Sequence, residues 1–171
     1  FLPYTGAMSA SKRSHDYLRY LGISEKSLAD GYDTLSIERI RTASGSVPAP
    51  EGTPFLERDF IIVARHVPKK NLPVALEAFA RFAQLSPTSK RKLHLCGSGM
   101  GEAALRAQTT ELGMEDRVVF HGFLQTDDVA RQLARGLALI LPSIEEQFGL
   151  VVIEAQALGL PVLISEVAGA R

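Results

Sequence analysis

The sequence predicts an α/β protein: a parallel sheet with helices on both faces. Three observations carry this. Short, mainly apolar runs of three to five residues recur at residues 60–64, 93–96, 118–120, 137–141 and 161–165, as strands covered on both sides require. Segments with apolar residues at helical spacing lie between them. The connections are only a few residues long, so strand and helix alternate about five times.

Taken in order, residues 9–21 read as a helix, with Tyr17, Leu18 and Leu21 on one face and Gly22 as its stop. Asp30, Gly31, Tyr32, Asp33 and Thr34 read as a turn. Residues 44–54, rich in Ser, Gly and Pro, have linker composition and predict a domain boundary. After the strand at 60–64, residues 71–86 carry apolar side chains at 72, 75, 76, 79, 82 and 83, a helical stripe. Residues 93–96 form the second strand and 101–112 the second helix, stopped by Gly113. Residues 118–120 are the third strand. Thr126 reads as the N-cap of a helix running to Ala134, with Asp127 and Asp128 in its first turn. Residues 137–141, 148–158 and 161–165 complete the set as strand, helix and strand.

Composition excludes several function classes. Lys plus Arg and Asp plus Glu number 19 each, which argues against non-specific nucleic-acid binding. Cys96 is the only cysteine, so no internal disulfide forms, and a reducing, cytoplasmic setting is expected. No apolar run approaches the roughly 18 residues that span a bilayer. The chain opens on Phe1 and stops just after an apparent strand, so both ends are expected to be truncated.

Ligands of such sheets bind at the carboxyl ends of the strands. The chemically interesting loops all lie there. Arg65 and Lys70 flank the exit of the first strand and suit a diphosphate, one as a planar fork and one as a point charge; a solvated basic turn is the plain alternative. Gly97, Gly99 and Gly101 let backbone approach a ligand, or simply turn the chain. Position 102 is Glu and no ribose-binding acid follows at the expected distance, so this is no dinucleotide fingerprint. The four histidines (His15, His66, His94, His121) lack metal-ligand spacing, and His94 reads as a satisfied core residue. Glu146 and Glu154, with seven residues between them, flank an expected helix start at Phe148 and Gly149. The N–H groups of such a helix end face an anion, and the carboxylates accept from hydroxyl-rich groups. The alternative is a capping box between Ser143 and Glu146. Against a bland Glu154 stand Val151, Val152, Ile153 and Ala155, beside which an unserved carboxylate is costly.

Residues 142–162 read Pro-Ser-x-x-Glu-x-Phe-Gly-x-x-x-x-Glu-Ala-x-Ala-x-Gly-x-Pro-Val. This resembles the signature of retaining glycosyltransferase family 4, the group 1 glycosyl transferases of GT-B fold. Arg65 with Lys70 resembles that family's Gly-Arg-Leu-x-x-x-Lys-Gly segment, with Ala64, His66 and Asn71 at the first Gly, the Leu and the last Gly. Gly97-x-Gly99 and Val118-x-Phe120-x-Gly122 match its intermediate landmarks in order and spacing.

The resemblance implies one Rossmann-like half of a GT-B fold. Residues 1–43 would be the tail of an acceptor-binding domain, 44–57 a linker, and 58–171 an incomplete sugar-nucleotide-binding domain. It implies that Arg65 and Lys70 grip the donor diphosphate, Glu146 holds the transferred sugar, and Glu154 accepts from the ribose. Ser143, Phe148, Gly149 and Leu150 would cap sugar and phosphate. Gly97, Gly99, His121 and Gly122 would line the nucleotide. No metal or other cofactor is implied. The partners would be a nucleotide-diphosphate sugar and a glycan or lipid-linked acceptor, the latter at a membrane's cytoplasmic face. Two alternatives stand beside transfer: a sugar-nucleotide epimerase of the same architecture, and a nucleotide-binding module without catalysis.

Overall fold

The computed structural model describes residues 4–31, 34–45 and 52–167. Its first unit is a two-stranded parallel sheet of β1 (Ala7–Ser9) and β2 (Leu28–Asp30), joined through α1 (Lys12–Tyr20). Ser11 caps α1 in a capping box with Ser14, while the helix buries no residue. Local hydrogen bonding, not a packed face, sustains it. Of the expected turn, Asp30 closes β2 and Gly31 follows at φ 96°; Tyr32 and Asp33 lie outside the described residues.

The main sheet runs β5 (Val118–Gly122), β4 (Leu93–Cys96), β3 (Asp59–Val63), β6 (Gly136–Leu141), β7 (Val162–Ile164), all parallel. The chain enters in the middle at β3, steps outward through β4 and β5, then crosses to β6 and β7. Its carboxyl ends therefore share one rim, and the order reverses between β3 and β6. Loops leaving those two strands must open side by side, which is where ligands settle in such sheets.

One face is covered by α3 (Leu72–Leu85) and α4 (Glu102–Glu111), where Ile62, Leu76, Phe79, Leu93, Leu95 and Leu105 are buried. The other carries α5 (Thr126–Leu133) and α6 (Leu150–Ala157) over Ile61, Leu139, Leu141, Leu133, Val152 and Leu158. Each such side chain contributes about 1.5–3 kcal/mol relative to exposure, so both faces are secured. Near-continuous apolar strands were the expectation, and every predicted strand and helix of this unit is present.

The differences are local. Thr126 is the first residue of α5 and not its cap; Gln125 precedes it and makes no side-chain cap bond. α6 starts at Leu150, two residues after the expected position, because Gly149 sits at φ 92° in the left-handed region. The first helix is shorter than residues 9–21, since Ser9 belongs to β1. The largest change concerns the boundary near 44. α2 (Ile37–Ser44), placed by sequence with the first unit, packs on α5 and α6. Ile40 enters the second core, and Arg41 Nε donates to the Ala157 carbonyl at 2.9 Å. By packing, the larger unit begins before the predicted linker, whose residues 46–51 lie outside those described.

Candidate functional site

The loop after β3 carries the cations. A single turn at Pro68–Lys70 ends on Asn71 at φ 53°, a left-handed position for which Asn is the best substitute for Gly. The departure at Asn71 therefore preserves the backbone. Arg65 is exposed and makes no ion pair among the described residues. Lys70 turns to the neighbouring loop and pairs with Glu146, both side chains being nearly covered, at 14% and 12% exposure.

The loop after β6 (residues 142–149) is fastened to this one twice more. Its Ile144 N–H donates to the Lys69 carbonyl at 2.9 Å, and Lys69 Nζ meets Glu145 Oε1 at 3.2 Å. Ser143 is buried; its hydroxyl donates to Glu146 Oε2 at 3.2 Å, and its carbonyl accepts from Ser165 Oγ at 2.6 Å. The capping box that stood as the alternative reading is absent. Ser143 and Glu146 meet through their side chains, several residues before α6, whose N-terminus has no side-chain cap. The first N–H groups of α6 are therefore left without a side-chain partner at the end of this loop.

Glu154 lies one turn along α6, half-buried, its carboxyl held above the usual range by burial alone. It has no ion pair among the described residues. It lines a cavity of about 350 Å³ together with Leu35, Ser36 and Arg39 around α2 and Thr126 and Ala130 of α5. Sequence reasoning missed the α2 wall, since nothing local marks Arg39 as a neighbour of Glu154.

The glycine loop after β4 is packed closely against the loop after β3. Gly97 donates its N–H to the Gly122 carbonyl at 2.7 Å, and the His66 N–H donates to Ser98 at 2.9 Å. A Cβ at Gly97 would stand 2.0 Å from the Ala64 carbonyl oxygen, and one at Gly99 2.6 Å from that of His66. These glycines let two loops interlock, and the Gly97 amide is engaged within the protein. His121 likewise points to protein: its Nε2 lies 2.7 Å from His94 Nδ1, and His94 Nε2 lies 3.1 Å from Asp59 Oδ2. The chain Asp59–His94–His121 crosses three strands on one face. His94 is the satisfied residue that the sequence predicted. Burial, reinforced by His94, lowers the His121 pKa.

Comparison with known proteins places this geometry. The family model described as glycosyl transferases group 1 matches residues 49–171. The D-inositol 3-phosphate glycosyltransferase of Streptomyces bingchenggensis is 28% identical over 170 residues, 94% of this chain and 37% of the relative. That of Frankia alni is 33% identical over 126 residues, 68% of this chain and 31% of the relative. Among solved structures, the lipopolysaccharide outer core galactosyltransferase WaaB in its apo form matches with a TM-score of 0.74 at 25% identity, covering 96% of this chain and 44% of that one. Anabaena Alr3699/HepE, in complex with UDP and glucose, matches with a TM-score of 0.72 at 21% identity, covering 97% and 46%. The chain thus spans less than half the length of these relatives. With a matched model over most of its length, on a five-stranded parallel sheet, the chain belongs to the glycosyl transferases group 1 family.

Proposed function

We propose that this chain is the donor-binding half of a glycosyltransferase. It binds a nucleotide-diphosphate sugar and serves transfer of the sugar, with retention, to a glycan or lipid-linked acceptor. The observation that carries the reading is the Lys70–Glu146 junction at the point where the strand order reverses, beside the uncapped N-terminus of α6.

Breaking the bond at the anomeric carbon leaves negative charge on the nucleoside diphosphate and a cation-like sugar. Arg65, Lys70 and the α6 N–H groups meet the diphosphate charge. Lys70 and Glu146 neutralise one another. An arriving diphosphate draws Lys70 away, and the released carboxylate accepts from the sugar hydroxyls. The two charges exchange partners and neither is left stranded. Ser143, fixed by Ser165, keeps Glu146 aimed during that exchange. Glu154, one turn further along, accepts from the ribose, a hydrogen bond that favours its charged form against its burial. The glycines and His121 shape the nucleotide wall through backbone and packing.

This reading requires no divalent metal, because Arg65 and Lys70 would supply the positive charge that meets the diphosphate. No helix among the described residues is long and apolar enough to cross a membrane. A lipid-linked acceptor would bring the protein to the cytoplasmic face of a membrane through its substrate.

Calorimetric titration with UDP-, GDP- and ADP-glucose tests the donor assignment, and one of them is expected to bind saturably. NMR of the product formed by the complete polypeptide is expected to show a glycoside with the donor's anomeric configuration. No binding by any donor, an inverted product, or an epimerised sugar nucleotide without glycoside would overturn the reading.

A further inference from the structure

His66 follows Arg65 directly and is 1% exposed. Its two ring nitrogens are the buried side-chain polar atoms that lack a hydrogen-bond partner among the described residues. Its backbone is clamped: the N–H donates to Ser98 and the carbonyl accepts from Gly101, each at 2.9 Å. Its ring stands edge-on to Phe120 at 6.2 Å. A small cavity opens beside it between α3 and α4, but both nitrogens are shut off from solvent, so no ligand there reaches them.

An imidazole in this setting is destabilising, since an aliphatic side chain would leave no polar group unserved. Such a group points to a second arrangement in which it is served. One acceptor is within reach. Glu102, in the first turn of α4, gives Oε1 to Arg106, which donates from Nε at 3.0 Å and Nη2 at 2.7 Å. Its Oε2 faces His66 Nδ1 at 3.6 Å, too far for a hydrogen bond. Burial keeps the ring neutral by lowering its pKa, against the pull of Glu102. Facing a carboxylate, a neutral ring carries its proton on Nδ1. A shift of under roughly 1 Å closes the gap to a charge-assisted bond. Arg106 is itself braced over Phe120 at 4.2 Å, so the side that moves is the loop of residues 64–71.

We propose that His66 is a positioning residue for the donor: when a nucleoside diphosphate occupies the Arg65–Lys70 loop, that loop re-seats and His66 Nδ1–H donates to Glu102 Oε2, tying the cations to α4. This rests on the donor reading above. The bond forms only in the occupied state, so it adds to affinity and leaves the empty protein with a destabilising imidazole.

The test uses UDP, GDP and ADP as probes, taking whichever the wild-type chain binds most tightly. His66→Leu is expected to raise the melting temperature by about a few degrees while weakening the nucleotide about tenfold. Stability and affinity thus move in opposite directions, which a purely structural role cannot produce. Glu102→Ala is expected to weaken binding comparably, and the double variant to be no weaker than the poorer single one. His66→Asn, whose amide nitrogen takes the place of Nδ1, is expected to recover most of the affinity. Wild-type affinity in His66→Leu, or independent losses in the double variant, would overturn the proposal. A sharp loss of nucleotide in Arg65→Ala alongside an unaffected His66→Leu would leave the donor reading intact and remove this inference alone. Failure of the wild-type chain to bind any of the three nucleotides would remove both.

Discussion

The loop after β4 and the loop after β6 open on the same rim, and they are held in opposite ways. The first (residues 97–101) is all backbone: Gly97 bonds to Gly122, Ser98 and Gly101 bond to His66, and no Cβ fits at Gly97 or Gly99. The second (residues 142–149) is held mostly by side chains, through Lys70–Glu146, Ser143–Glu146, Lys69–Glu145 and Ser165, beside backbone bonds from Ile144 and Glu145 to the Lys69 carbonyl. Backbone interlocking tolerates shifts of a fraction of an ångström but cannot trade partners without unfolding the loop. Ion pairs and hydroxyl bonds can trade partners. The rim therefore couples a rigid mould to a responsive clasp.

The largest expected effect strikes the mould. Gly97→Val places a Cβ against the Ala64 carbonyl at a φ of 139°, and is expected to cost about 4 kcal/mol or more, measured by urea unfolding. A stable Gly97→Val variant would erase the distinction between the loops. Next come the cations. Arg65→Ala, at an exposed residue without an ion pair, is expected to slow turnover by about 10²–10³ while changing stability by under about 0.5 kcal/mol. Lys70→Met is expected to slow turnover comparably and also to cost about 1–3 kcal/mol, because Glu146 loses its partner in a nearly covered position. Adding Glu146→Gln should return much of that stability and none of the turnover, a split read from unfolding curves beside initial rates.

Ser143→Ala removes one bond to Glu146 and is expected to cost about 1 kcal/mol of stability. Glu154→Gln separates fold from function by pH. Burial raises this carboxyl above its ordinary value of 4.5, so the folded state holds the proton more readily than the unfolded chain. That contribution is complete below pH 4.5 and is lost as pH rises through the folded value. The variant should therefore melt higher than wild type at pH 7 and lose that advantage near pH 4, in paired thermal scans. His66 and His121 act in the other direction: with pKa values below the usual 6.5, each withdraws stability as pH falls through its folded value. The smallest expected change is none: EDTA should leave turnover where it was.

Much of the fold was legible. Residues 60–64 and 71–86 announced themselves through unbroken apolar character and 3.6-residue spacing, and the structure keeps a strand and a helix there. Helix starts were less legible. Thr126 has the chemistry of a cap, yet the helix takes it as its first residue. Ser143 and Glu146 have the spacing of a capping box, yet the left-handed Gly149 starts the helix later. That α2 packs on α5 and α6 was not legible, because a Ser, Gly and Pro stretch marks where the chain is loose and says nothing of what the helix before it touches. That Gly97 and Gly99 lie against the loop after β3 was not legible either, because residue identity does not reveal what occupies the space beside a missing Cβ.

Local patterning alone determined the strands, the helices, and the fact that Arg65, Lys70, Glu146 and Gly149 all follow strand ends. Side-chain polarity and backbone preference act over a few residues, so this information survives in the linear chain. Only the tertiary structure decided that β6 pairs with β3 and not with β5, bringing Lys70 onto Glu146 across 76 positions. Strand order is a choice among distant partners whose local patterns are alike. It is settled by which crossover lets both faces bury their helices, and that is a property of the whole sheet.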